Sequence, residues 1–302
     1  MKAALAFVLF AAPLNVAAAP YGIILMAHGG SASWNREIEA LRARVDARAP
    51  TETALGMADP AALQAAVDRL ERRGVARIVA VPLFVQSRSE VLDQTRYALG
   101  LTDKSSEVLK RAYERMGAAH SAHGAHRHEF SQTRVKAREP IVMASGLDDH
   151  PLVSRILMER AKALSRNPAS ETVVLVAHGP VDDAAMPSWR NSMTSLCGAL
   201  AGGGFRKCSF SLLRDDAAPE VRAAAVAELR AKVARAKTRK GRAIVVPVLI
   251  ARGGIEEKIA KDLRGLDYAW DGRTLMPHEG FDAWVLERAA AADRPVFDRS
   301  AR

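Results

Sequence analysis

Two histidines stand where a strand should end. Gly22–Ala27 is a short run rich in Ile that closes on His28-Gly29-Gly30, and Thr172–Ala177 repeats the construction before His178-Gly179. Apolar runs of this length, rich in Ile and Val, read as buried strands. A glycine directly after each histidine lets the chain turn sharply, so the imidazole sits at the strand's carboxyl end, where open α/β sheets bind ligands. Neutral imidazole ligates divalent transition metals and also takes a proton near neutral pH. A second group of imidazoles, His120, His123, His126 and His128, falls within nine residues; tracts of this kind bind transition metals loosely. His150 and His278 each stand beside a proline ahead of an expected helix, where capping and turn geometry account for them.

The elements that carry these residues alternate. After the first strand, Trp34, Ile38, Leu41 and Val45 fall on one helical face. A strand over Thr53–Met57 leads to Asp59-Pro60, a side-chain cap followed by a proline suited to a first turn, and Leu63, Val67 and Leu70 mark that helix. Arg77–Val85 reads as a buried strand, a polar loop and helix follow from Gln86 to Val91, and Pro140–Ala144 is a fourth strand. The second half keeps the order: Trp189, Met193, Leu196 and Leu200 on a helix; a strand Cys208–Leu213 running into Asp215-Asp216 and Pro219; a helix with Val226, Leu229 and Val233 inward. Arg242–Ile250 then matches Arg77–Val85, proline included. Recurrence of units in one order predicts a tandem repeat, and strands alternating with helices predict parallel sheets with helices on both faces. We therefore expect an α/β protein of two similar domains, residues 20–166 and 167–302. Residues 101–138, which have no counterpart in the second half, read as an insertion forming a flexible loop or lid.

The chain has 302 residues, 49% of them hydrophobic and 26% charged, with a net charge of +10. That charge points to anionic partners. Aromatics are only 5% and no nucleic-acid motif accompanies the basic balance, so nucleic acid is not expected. No nucleotide-binding glycine loop, phosphate loop, Cys-x-x-Cys or nucleophile elbow is present, so no organic cofactor is expected. Residues 1–19 have the make-up of an export signal: Lys2, an apolar stretch to Ala12, and Ala17-Ala18-Ala19 for cleavage. The expected location is extracytoplasmic, the periplasm in a bacterial source, with no membrane span after cleavage. Cys197 and Cys208 stand available for a disulfide there.

A strand ending in Ala-His-Gly, a helix, a strand leading to an acidic-Pro helix start, and a strand with an internal Val-Pro together resemble the sirohydrochlorin-type class II tetrapyrrole chelatases. The resemblance covers most of residues 22–290 as two fused repeats. It implies two flavodoxin-like domains facing a cleft, and ATP-independent insertion of Co²⁺ or Fe²⁺ into an anionic tetrapyrrole such as sirohydrochlorin, as in siroheme or cobalamin biosynthesis. His28 then binds metal and accepts a ring proton. The family's second histidine, a few residues past the Val-Pro strand, is absent. Ser89 or Glu90 occupies its place, and Glu90, a carboxylate able to ligate a divalent metal and take a proton, fits the pattern better. Arg88 and Arg252 are candidates for holding the ring's carboxylates, and the His120–His128 tract for capturing metal. The matching loop of the second half, Ala251–Ile255, offers no ligand, so that half reads as structural. The alternative function is an exported carrier of metal or tetrapyrrole on the same fold without turnover.

Overall fold

A computed structural model describes residues 21–120 and 130–293. It contains two four-stranded parallel sheets. The first has β1 (Gly22–Ala27), β2 (Thr51–Leu55), β3 (Ile78–Pro82) and β4 (Ile141–Met143) in the order β2-β1-β3-β4. The second, β5 (Thr172–Ala177), β6 (Lys207–Leu212), β7 (Ala243–Val248) and β8 (Tyr268–Ala269), has the order β6-β5-β7-β8. The two orders are the same arrangement. In each, the strand that precedes an Ala-His-Gly turn is central, paired on both sides. Ile23, Ile24 and Leu25 of β1 are fully buried, each contributing roughly 1.5–3 kcal/mol through removal from water.

The helical faces read from sequence are the buried ones. In α1 (Ala32–Asp46), Ile38, Leu41 and Val45 are buried and Ser31 caps the first turn by accepting from Trp34 N at 3.2 Å. In α2 (Pro60–Arg72), Leu63, Val67 and Leu70 are buried behind the Asp59 cap. The helix over residues 90–98, α3 (Glu90–Ala98), is capped by Ser89.

The described parts of the 101–138 segment, residues 101–120 and 130–138, are built into the fold. They contain α4 (Glu107–His120), whose Leu109 and Ala112 are buried, and a returning segment pinned along α2 and α3. Val135 N donates to Ala98 O at 2.8 Å, and Gln64 bonds both the amide and the carbonyl of Lys136. The core pattern is short because α4 contributes to a small cluster, Ala58, Val91 and Leu109, with Met57, Phe84, Tyr113 and Phe130 packed around it. His123, His126 and His128 lie outside the described residues, as does the segment read as an export signal.

The helices that close the two halves are exchanged. α5 (Pro151–Leu164) packs on β7 of the second sheet, while α9 (Gly280–Asp293), the last helix, packs on β3 and β4 of the first. A single core runs between the sheets in consequence, joining Ile23, Leu25 and Val79 to Val173, Leu175 and Val246 through α1, α5, α9 and α6 (Met186–Gly202). His150 caps α5 and reaches Glu287 of α9 at 3.2 Å; His278 reaches Glu159 of α5 at the same distance. Both histidines thus clasp the exchanged helices, a role beyond the turn geometry expected of them. On the outer face of the second sheet, α7 (Pro219–Ala236) buries Ala225, Leu229 and Val233, with Val226 only half-buried. α8 (Ile255–Asp262) follows β7. Cys197 of α6 and Cys208 of β6 form a disulfide that ties the edge strand to its helix. Among the described residues no helix is long and apolar enough to cross a membrane.

Candidate active site

The carboxyl ends of β1, β3, β5, β6 and β7 open on one cleft of about 410 Å³. Its walls are apolar: Trp34, Met57, Phe84, Val91, Trp189 and Ile250 are among them. Four titratable groups from both halves stand in it, His28 and Glu90 from the first, His178 and Asp216 from the second, with Asp215 and Lys258 beside them.

Turn geometry puts the two histidines there. Gly29 and Gly179 have φ of 71° and 80°, the left-handed region that glycine enters without penalty. A side chain at Gly179 has no space either, since a β-carbon would lie 2.8 Å from Leu212 Cβ. The turns carry both imidazoles off the strand ends, His28 open to solvent with its ring 6.0 Å from that of Phe84, His178 half-buried.

Glu90 is the first residue of α3. Its loop is fixed from behind: Ser87 donates through N and Oγ to Asp148 at 2.8 and 2.5 Å, and Gln86 Nε2 donates to Ser192 Oγ at 3.1 Å across to α6. Ser89 lines the cleft as well, but its hydroxyl is engaged as the helix cap, which leaves the carboxylate of Glu90 as the chemically available group. Burial pushes the Glu90 carboxyl above its usual range. Asp216 and Asp93 push the same way, opposed by its own backbone N–H and by the charge of His178.

His178 is a cation. Burial works to lower its pKa, but a 3.2 Å contact from Nε2 to Asp216 Oδ2, the Asp216 charge and the Gly179 carbonyl at 2.8 Å outweigh it and raise the value to about 9. Asp216 is held low in return, by its hydrogen bond from His178 first, then by the charges of His178, His28 and Lys258 against the opposing effect of burial. Since Asp216 feels His28 and Glu90 feels both His178 and Asp216, the two halves form one electrostatic unit across the cleft.

The second half is therefore not a passive cover. The signal missed in the sequence is a spacing. Asp59 directly precedes Pro60 and is spent capping α2, whereas Asp215 and Asp216 precede Pro219 by several residues and the cap position is Ala218, which makes no side-chain bond. The acidic pair is thereby left facing the cleft. Arg214 holds the pair's turn in place despite φ of 56°, unusual for a residue with a side chain. Its guanidinium donates to the carbonyls of Pro180 and Val181 at 3.0 and 2.9 Å, bracing the His178 loop. Asp215, with a side chain 4% exposed, is anchored by Arg222 at 2.9 Å.

The sequence candidates divide. His28 and Glu90 both line the cleft. Arg88 and Arg252 are exposed and neighbour lining residues without lining the cavity themselves; Lys258 lines it instead. Arg252 instead faces Glu256, whose carboxylate accepts from Gly253 N and Gly254 N and so orders the start of α8. The glycines of that loop, which offer no ligand, make room: a β-carbon on Gly253 would lie 2.7 Å from Trp34 Cζ3. Among the described residues no three His, Cys, Asp or Glu side chains converge as a ready-made metal cage.

Residues 22–164 match the CbiX family model. Among solved structures the chain is similar to SirB from Bacillus subtilis with Fe³⁺ at 15% identity and a TM-score of 0.56, covering 90% of this chain and 95% of that one. The sirohydrochlorin chelatase SirB from Bacillus subtilis subspecies spizizenii in complex with cobalt matches at 13% identity and 0.56, covering 91% and 96%. CbiX, described as the terminal enzyme for biosynthesis of siroheme in denitrifying bacteria, matches at 17% and 0.52, covering 90% and 98%. At these identities the likeness to solved structures is one of fold. Comparison with curated proteins finds no match.

Proposed function

We propose that this protein, whose residues 22–164 match the CbiX family model, inserts a divalent metal, Co²⁺ or Fe²⁺, into a sirohydrochlorin-type tetrapyrrole without ATP. The observation that carries the reading is the single cleft in which His28, Glu90, His178 and Asp216 meet between apolar walls. A flat macrocycle gains from the aromatic and aliphatic lining, and the polar band stands where the ring's edge and nitrogens would approach.

Insertion releases two protons from the pyrrole nitrogens as the metal forms its bonds to them. His28, open to solvent, takes one and can hand it on. Glu90, whose carboxyl burial keeps more basic than usual, is suited to the other. Metal in transit needs weak, partial ligation, which a neutral imidazole and one carboxylate supply. His178 is paired with Asp216 and favoured in its protonated form, so its contribution is charge that orients carboxylates of the macrocycle, with Asp216 holding the imidazole in place.

The export reading of residues 1–19 is supported by the Cys197–Cys208 disulfide, a bond that persists in oxidising compartments. The test of function is an anaerobic assay that follows the macrocycle's absorbance with Co²⁺, Fe²⁺ and Ni²⁺. His28→Ala is expected to cut turnover by roughly 100-fold or more and Glu90→Gln by a smaller factor, in keeping with loss of a proton acceptor. No spectral change with any metal, alongside tight macrocycle binding, replaces the enzyme with a carrier. Unchanged turnover in His28→Ala removes that histidine from the chemistry.

A further inference from the structure

Beside the cleft lies a second cavity of about 630 Å³. Met57 and Leu109 line both, so the two spaces share a wall. The second is built in large part by the segment that only the first half possesses: Leu109 and Tyr113 of α4, and Phe130, Ser131, Thr133, Arg134 and Lys136 of the returning stretch. In the second half, α8 is separated from β8 by residues 263–267 alone, so nothing there repeats it.

The lining combines apolar groups (Leu55, Met57, Leu109, Tyr113, Phe130) with the charged Asp59, Arg134 and Lys136. Tyr113 packs edge-on to Phe130 and its hydroxyl donates to Met57 O at 3.3 Å, fixing the apolar part. Of the charged side chains, Asp59 is engaged as the cap of α2, and Arg134 lies over the Tyr97 ring with Asp103 at 2.9 Å. Lys136 has its backbone clamped on both sides by Gln64. Its ammonium forms no ion pair with a described residue, and Ser131 and Thr133 add hydroxyl groups nearby.

We propose that this chamber receives carboxylate arms of the macrocycle whose core occupies the cleft, with Lys136 as the principal anchor. The inference rests on the chelatase reading and deepens it by naming where part of the ring's periphery goes. It also answers a difficulty in the cleft itself, where positive charge is confined to Lys258 and to His178, the latter already paired with Asp216. A polyanionic macrocycle needs positive charge beyond that point, and Arg88 and Arg252, exposed outside the cleft, do not line it.

The test is metal-free fluorescence titration of the full chain with a polycarboxylated porphyrin and with its fully esterified form. Lys136 is exposed and its backbone bonds do not involve the side chain, so Lys136→Glu should fold normally. That variant is expected to weaken the carboxylated ring roughly tenfold, as a charge-assisted bond gives way to repulsion, and to leave the ester unchanged. Thr133→Trp, which fills the chamber without altering charge, should weaken the carboxylated ring too. If the unaltered protein binds the porphyrin and both variants bind it equally well, the chamber inference fails and the chelatase reading stands. If the unaltered protein binds neither ring and performs no metal insertion, the functional reading itself fails.

Discussion

The pairing of His178 with Asp216 has a pH signature that Asp216→Asn should erase. The His178 pKa rises from an ordinary 6.5 to about 9. A group raised on folding adds stability that is complete below its unfolded value and disappears as pH climbs through the folded one. Asp216, held low by the same contact, contributes above its ordinary 3.8 and loses that contribution in acid. The pair is therefore worth most between about pH 4 and 6.5 and nothing by about pH 10. At 1.36 kcal/mol per pH unit, the His178 rise corresponds to ~3 kcal/mol. The Asp216 side chain is 46% exposed, so solvent screening should reduce the measured effect to about 1–2 kcal/mol.

Two measurements check this. The His178 imidazole, followed by NMR against pH, should titrate near 9 in the unaltered protein and well below that in Asp216→Asn, where no opposite charge offsets burial. Urea unfolding should show the two proteins separated by about 1–2 kcal/mol at pH 6 and converging by pH 10. A His178 that titrates near 6.5 in the unaltered protein refutes the reasoning. So does a stability gap that stays constant across the range.

Two further outcomes are expected. Gly253→Val should push Trp34 from its seat, because even a β-carbon would sit 2.7 Å from the ring; a stability loss of about 1–3 kcal/mol with shifted tryptophan emission and weaker macrocycle binding is expected, and unaltered emission and affinity would remove Trp34 from the cleft wall. Cys208→Ser should lower stability by about 2–3 kcal/mol in unfolding titrations, since it opens a short loop between α6 and an edge strand; a reductant should reproduce the loss in the unaltered protein and add nothing in the variant.

Most of the architecture was legible because hydrophobic period and turn residues carry it. The helical stripes of α1, α2 and α6 and the Ile/Val strands are local patterns, and they are buried as the pattern demands, save that Trp34 at the start of α1 is half-buried in the cleft wall. The exchange of α5 and α9 left no such trace. Leu152, Ile156 and Leu157 show that α5 buries a face, but nothing local says which sheet receives it. The same limit hid the cleft's second half. An aspartate before a proline reads as a cap, and only the position of the helix start separates Asp59, which is one, from Asp216, which is not. Arg88 and Arg252 were chosen for charge and proximity in sequence, and their exposure is a property of loop direction that spacing does not encode.

The two halves are similar in topology and complementary in chemistry. Hydrogen bonds from Gly56 N to Ala27 O and from Leu213 N to Ala177 O, each 3.0 Å, align the turns after β2 and β6 residue for residue. From that alignment the first half spends its aspartate on a helix cap while the second presents Asp216 to the cleft. The first residue of α3 is Glu90 and that of α8 is Ile255, so at this position the first half keeps the carboxylate and the second does not. Each half thus supplies one histidine and one carboxylate, drawn from different turns. A site divided in this way works only if the halves are held in register. The exchanged helices, with His150 on Glu287 and His278 on Glu159, provide that constraint, because neither sheet can shift without carrying a helix of the other half with it.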